Sequence, residues 1–209
     1  RSAITERYAI GRADGLQVAG TSGDFTYALA LFEEDGGNNN VSDYGVATRA
    51  TFTPVNTEDG VIHFGLAYKD LAKSVSAVGF EAAATSGPFH AQIEYVDAEE
   101  ADSDAEGYYV QLGYVVTGES RPYKNGVFEK IKPANDSGAV ELVLRYEDGD
   151  GDYGDVELGS TDASAWGVGV NWYANNNVKI GINYTDGEDN SSGSNDDGKE
   201  YRARFQLTF

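Results

Sequence analysis

The chain has 209 residues, no cysteine and a formal charge of −20 at pH 7. The missing cysteines exclude a disulfide framework and a thiolate metal site, and the acidic balance argues against nucleic acid, which needs a cationic footprint. No run of about 18 apolar residues occurs, which excludes a transmembrane helix but not a membrane barrel, where only alternate residues face lipid.

Abundant Gly, Tyr and Phe with only four Pro suit an antiparallel β protein with many turns. Residues 1–14 are mixed in character and stay unassigned. Leu16 to Gly20 reads as a short strand, closed by turn residues at 21–24. Phe25 to Phe32 puts Phe25, Tyr27, Leu29 and Leu31 on one face, because strand side chains alternate with period two. A third strand, about Tyr44 to Thr53, sends Tyr44, Val46, Ala50 and Phe52 outward and Asp43, Arg49 and Thr51 inward. Ile62, Phe64, Leu66 and Tyr68 mark the fourth against His63 and Lys69, and Val78 and Phe80 the fifth against Glu81. Phe89, Ala91, Ile93 and Tyr95 oppose His90, Gln92 and Glu94, while Tyr108, Val110, Leu112, Tyr114 and Val116 oppose Gln111.

After a long insertion, Val140, Leu142, Leu144 and Tyr146 oppose Glu141, Arg145 and Glu147. Trp166, Val168, Val170 and Trp172 oppose Gly167, Gly169 and Asn171; Val178, Ile180, Ile182 and Tyr184 oppose Lys179 and Asn183. The last strand carries Tyr201, Ala203, Phe205, Leu207 and Phe209 on one face and Arg202, Arg204, Gln206 and Thr208 on the other. Strands of about 8–11 residues have the length that crosses a bilayer when tilted. One apolar and one polar face on each fits lipid outside and water inside. A soluble single sheet would need a partner layer, and no helical periodicity is present to supply one. The fold expected is therefore all-β, a transmembrane antiparallel β-barrel with eleven strands in this chain.

The final strand, ending on Phe209, resembles the C-terminal signature of bacterial outer-membrane barrels, with Tyr201, Phe205 and Phe209 as the assembly signal. Taking it as descending to the periplasm puts the connections at 33–43, 69–74, 97–106, 147–162 and 185–199 outside the cell. Those at 21–24, 54–60, 85–88, 118–137 and 173–177 then lie in the periplasm. Four of these outside stretches, residues 33–40, 97–106, 147–162 and 186–200, hold 22 of the 35 Asp and Glu, with Lys199 their sole Lys or Arg. Such blocks need water and belong at a solvated rim, or bridge divalent cations to lipopolysaccharide. Asp148 to Asp152 looks like a calcium loop, but it lacks Gly at the sixth position and has Gly159 where a bidentate Glu is needed. No metal site or cofactor is expected.

One periplasmic connection breaks the pattern of short turns. Residues 118–133 contain Arg121, Lys124, Lys130 and Lys132 against Glu119 and Glu129. A connection this long with aromatics and two prolines is usually functional, unless it only packs under the barrel. Here the chain resembles the phosphate- and polyphosphate-selective porins, through Tyr114 to Tyr123 (YVVTGESRPY), Ile131-Lys-Pro133, Gly138 to Tyr146 (GAVELVLRY), Val170 to Lys179 (VNWYANNNVK) and the terminal Arg202 to Phe209.

The resemblance implies a sixteen-stranded outer-membrane barrel, usually a homotrimer, whose pore is lined by Arg and Lys and passes small anions, phosphate among them. Residues 1–209 would then be the C-terminal portion of one porin domain. Candidate anion contacts are Arg121, Lys124, Lys130 and Lys132, with Arg49, Arg145, Lys179, Arg202 and Arg204 pointing into the lumen from strands. Arg145 could instead pair with Glu141 or Glu147. Inward Glu81, Glu94, Glu141 and Glu147 keep open a general or cation-preferring porin on the same scaffold, and a soluble acidic β-sandwich binding calcium or carbohydrate is the third reading. Enzymatic function is not expected, since His63 and His90 sit on separate strands with no evident nucleophile.

Overall fold

The computed structural model describes residues 13–34, 43–58, 60–71, 75–100, 103–152, 160–190 and 196–208. They form β1 (Asp14–Ser22), β2 (Phe25–Glu34), β3 (Asp43–Asn56), β4 (Gly60–Leu71), β5 (Val75–Ser86), β6 (Phe89–Glu100) and β7 (Ser103–Val115). Then come β8 (Tyr123–Lys124), β9 (Val127–Phe128), β10 (Ala139–Asp152), β11 (Ser160–Tyr173), β12 (Val178–Asp189) and β13 (Asp196–Leu207), with no helix among the described residues. β8 and β9 pair with each other, and the rest form one eleven-stranded antiparallel meander in chain order, open between β1 and β13.

The polarity of this sheet is inverted relative to a soluble protein. Leu66 is 60% and Leu144 48% exposed on one face, whereas His63 and His90 are each 4% and Glu141 3% exposed on the other. A dry core would reject such polar and ionisable groups. An apolar outer face wetted by lipid and a polar inner face wetted by water satisfy both sides.

The outer face also marks where the apolar band stops. On three ascending strands a tyrosine is followed two residues later by an aspartate, and its hydroxyl donates to that carboxylate. The pairs are Tyr68 to Asp70 (2.9 Å), Tyr146 to Asp148 (3.0 Å) and Tyr184 to Asp186 (2.8 Å). Tyr95 instead reaches Glu106 on the neighbouring strand, at 2.5 Å. Trp166 and Tyr201 flank Tyr184 at the same level, with ring centroids 5.5 and 5.0 Å away. Rings with an apolar body and a hydrogen-bonding tip belong at the headgroup level. Toward the opposite end, Phe25 stacks on Phe52 and Phe89 packs on Tyr114, at 4.7 and 4.6 Å.

Above the tyrosines the structure departs from the sequence-based expectation. Much of the acid assigned to outside loops lies on strands that continue as paired hairpins. Asp97 faces Glu106 and Glu99 faces Asp104 across β6 and β7, and Glu188 faces Asp197 across β12 and β13. Apolar alternation stops at the lipid boundary, but backbone pairing does not. Small residues on the inner face, Ala77, Ala98 and Ala105, pack together with Val96 there and let the sheet extend beyond it.

Candidate functional site

The segment 116–138 between β7 and β10 turns back into the lumen. Its base is locked to the wall by Ile131, 1% exposed, which packs with Val115, Ala139 and Tyr173. Glu119 accepts from the Thr117 hydroxyl and, at 3.0 Å, from the Ala134 amide. Burial alone would raise the Glu119 carboxyl, but these donors outweigh it and hold it below the usual carboxylate range. Lys130 donates to the Asn176 carbonyl at 2.8 Å, tying the connection to the β11–β12 turn.

From this base β8 and β9 rise as a hairpin. Asn125 and Gly126 carry φ of 49° and 80°, the two positive values a type I′ turn requires. The tip lies against the far wall. Arg49 on β3 donates to the Gly126 carbonyl at 2.8 Å and also binds Glu81 on β5, through Nε at 2.9 Å and Nη2 at 2.5 Å. The Tyr123 hydroxyl meets Thr53 Oγ1 at 2.8 Å and His63 Nδ1 at 2.5 Å, while His63 Nε2 faces Glu81 at 3.1 Å. Strands lie about 4.8 Å apart, so the tip meets the wall four strands from β7, roughly 19 Å measured along the sheet.

At the hairpin's near side, Arg121 donates to Gln92 Oε1 at 3.2 Å, approaches His90 Nδ1 at 3.5 Å and lies over the Phe128 ring. His90 Nε2 in turn bonds Glu141 at 2.8 Å, and the other Glu141 oxygen accepts from Asn171 at 2.7 Å and Tyr173 at 2.9 Å. Gly113 lies directly opposite His90 in the register, and a Cβ there would fall 2.0 Å from the imidazole. The ring fits because that position has no side chain.

Between the hairpin and β10–β13 an open polar recess of about 580 Å³ remains, into which Arg121, Arg145, Lys179, Arg202 and Arg204 project. Arg145 donates to Gln111 at 2.6 Å and lies over Tyr109, and Lys179 lies over Tyr173. Lys179 is within electrostatic reach of Arg121, Lys130, Arg204 and Glu141. Arg202 pairs with Glu200 at 2.7 Å.

An inside-out sheet with a basic hairpin in its lumen is the geometry of a porin, and comparison with known proteins bears this out. The sequence model of "Phosphate-selective porin O and P" matches residues 68–209. The chain belongs to this family. As a porin O and P family member it has the fold of a transmembrane β-barrel, and its place is the outer membrane of a Gram-negative bacterium. It is 39% identical to Porin O of Pseudomonas aeruginosa over 194 residues, 83% of this chain and 42% of that protein. It is 32% identical to an uncharacterised protein of Caulobacter vibrioides over 116 residues, 51% of this chain and 23% of that protein. The chain thus spans less than half the length of these curated relatives.

Within this porin scaffold the cations expected from the sequence divide into groups. Arg121, Arg145, Lys179, Arg202 and Arg204 share the recess. Arg49 stands apart, neutralised by Glu81 under the hairpin tip. Arg145 makes no salt bridge with Glu141, whose oxygens are taken by His90, Asn171 and Tyr173. Lys124 is exposed on the hairpin, and Lys130 and Lys132 flank the base. Tyr201 and Phe205 are exposed on the outer face, 79% and 66%, while Phe209 lies outside the described residues. Sequence reasoning missed the two histidine–glutamate pairs and the Tyr123 anchor. The Asn125-Gly126 dipeptide was the available signal for the hairpin.

Proposed function

We propose that this chain contributes to a water-filled channel for passive diffusion of small anions, phosphate among them. The observation that carries this reading is charge compensation. Arg121, Arg145, Lys179 and Arg204 project into the recess without a salt bridge to a described residue, and the hydrogen-bond and ring partners of the first three are neutral. Glu81 and Glu141 are each held by several donors. Uncompensated cations in a narrow, low-dielectric passage concentrate anions, and an arginine fork grips phosphate oxygens in pairs. The contacts remain water-exposed, so the ion can leave.

The same reading makes residues 1–209 the C-terminal portion of a larger barrel of sixteen strands. It is supported by the edges of β1 and β13, which have no strand partner among the described residues, because unpaired strand backbone is not tolerated in hydrocarbon. The assembly proposed is a homotrimer in contact with outer-membrane lipid and lipopolysaccharide.

Glu94, Glu147 and Glu200 also line the recess and favour a second reading, a cation-preferring pore. The sign of the reversal potential in a KCl gradient across a planar bilayer separates them. Anion passage requires chloride to dominate and the preference to fall when Arg121 and Lys179 are both changed to Glu. Potassium preference in the unmodified channel refutes it.

A further inference from the structure

Both histidines of the chain are buried in the lumen wall, and each stands between a wall carboxylate and the inward connection. Each presents Nε2 to the carboxylate, Glu81 or Glu141, and Nδ1 to a group of the connection, Tyr123 or Arg121. The two contacts differ in how they respond to a proton. A tyrosine hydroxyl can donate to a bare Nδ1, or accept from a protonated one while donating to Thr53, so His63 keeps its partner in either state. A guanidinium has no lone pair to offer. With Nε2–H directed at Glu141, Arg121 can approach His90 Nδ1 at 3.5 Å while that nitrogen is unprotonated.

We propose that His90 is a positioning residue for Arg121. The neutral imidazole helps hold the guanidinium against the wall, and protonation of Nδ1 releases it into the recess. This rests on the anion-passage reading above. The surroundings of His90 allow such a response. Glu141 on β10 faces Nε2 at 2.8 Å, Tyr173 on β11 and Asn171 donate to that same carboxylate, and Lys179 on β12 lies within electrostatic reach of it. From β7 the ring is faced by Gly113, and from β5 by Thr85, whose buried hydroxyl has no hydrogen-bond partner among the described residues. The imidazole is fixed in place by Gly113 below and Glu141 beside it, so Arg121, whose long side chain can turn about its own bonds, is the group that yields. Protonation neutralises Glu141 locally and frees Arg121, and both changes make the passage more positive.

The test is the chloride-over-potassium permeability ratio of the full-length channel in planar bilayers under a KCl gradient, at pH 8 and pH 5.5. Chloride does not titrate in this range, unlike phosphate. The ratio is expected to rise about tenfold on acidification, because one unit charge roughly 6 Å from a path of near-bulk dielectric favours chloride and disfavours potassium by about threefold each. His90→Gln should remove the step, because a glutamine accepts from Arg121 but takes up no proton. Arg121→Gln should leave only the smaller step due to the imidazolium charge itself, and it keeps the buried wall cluster intact if His90→Gln fails to fold. A flat profile in the unmodified channel, or a step that survives in His90→Gln, overturns the inference. A step of undiminished size in Arg121→Gln means that His90 acts by its own charge alone and overturns the positioning role. Potassium preference at both pH values is a different result, which sinks the anion-passage reading itself.

Discussion

Replacing Gly126 with Ala should unseat the hairpin tip and widen the passage. Gly126 sits at φ +80°, where a Cβ-bearing residue costs about 1–2 kcal/mol. The new Cβ would stand 2.7 Å from Thr26 Oγ1 and 3.2 Å from Thr51 Oγ1, so the tip must move back from the wall. Movement breaks the 2.8 Å bond from Arg49 to the Gly126 carbonyl, a hydrogen bond from a charged donor worth about 1.5–3 kcal/mol. The combined penalty of roughly 3–5 kcal/mol is comparable to everything that anchors the tip, since Tyr123 adds about 1 kcal/mol for each of its two bonds. The base anchored by Ile131 lies outside the perturbed region, so the barrel wall should assemble normally. Single-channel conductance is expected to rise, with increased protease cleavage near 123–128. Gly126→Asn isolates the cause: asparagine tolerates positive φ but still carries the clashing Cβ, so it should behave like alanine. A correctly folded Gly126→Ala channel with unchanged conductance would refute the idea that this hairpin narrows the passage.

Tyr123→Phe leaves His63 Nδ1 and Thr53 without their shared partner and should loosen the hairpin by about 1–3 kcal/mol, read as enhanced proteolysis of the connection in the folded channel. Charge reversal at Lys179 and Arg204 together should lower the chloride-over-potassium ratio several-fold, whereas reversal at Arg49, already paired with Glu81, should act mainly on the hairpin and hence on conductance. Leu144→Arg, on the outer face of β10, should destabilise the barrel by about 2–4 kcal/mol in lipid, measured by urea unfolding in vesicles; no effect would mean that this face meets water. Glu119 has a lowered folded-state pKa, so its contribution is fully present above its ordinary value of 4.5 and is lost as pH falls through the lower folded value. The effect is small because the carboxylate is largely solvated. Protease sensitivity of segment 116–138 should therefore increase below pH 4.5 in the unmodified chain. Glu119→Gln should remove that part of the pH response.

The strands were legible because each carries period-two alternation over its membrane-crossing part, so Leu142, Leu144 and Tyr146 against Glu141, Arg145 and Glu147 identified β10 and both its faces. The ends were not, because beyond Tyr146 the alternation is between acids and glycines, which looks like a loop. The Tyr-x-Asp repeat at Tyr68, Tyr146 and Tyr184 holds that boundary in the sequence, as a polar tip added to the last apolar position. For the site, residue type and parity sufficed to send Arg145, Lys179 and Arg204 inward. They could not show that Arg49 is consumed by Glu81, since parity assigns a face and says nothing about partners on strands two places away. The reach of the connection to Thr53 and His63 was hidden for the same reason: the contacts join residues about 60 to 70 apart in sequence, and nothing local encodes them.

A net charge of −20 argues by its sum against a host for anions, and the location of the charges resolves the conflict. Much of the acid stands on hairpins beyond the tyrosine level, where water and salt screen it over about 8–10 Å at physiological ionic strength. Inside the lumen the sign of the field depends on which charges are compensated, not on their sum. Glu141 faces three donors and Glu81 faces Arg49 and His63, so neither projects a bare negative charge into the recess. Arg121 and Arg145 are oriented by glutamines, and Lys179 by an aromatic ring, all of which fix a cation without cancelling it. Replacing Gln111 with Glu would keep the geometry of the Arg145 contact while cancelling its charge. A fall in chloride preference without a change in conductance would show that neutral partners, as much as the cations themselves, set what the passage admits; an unchanged preference would leave Arg145 with a structural role alone.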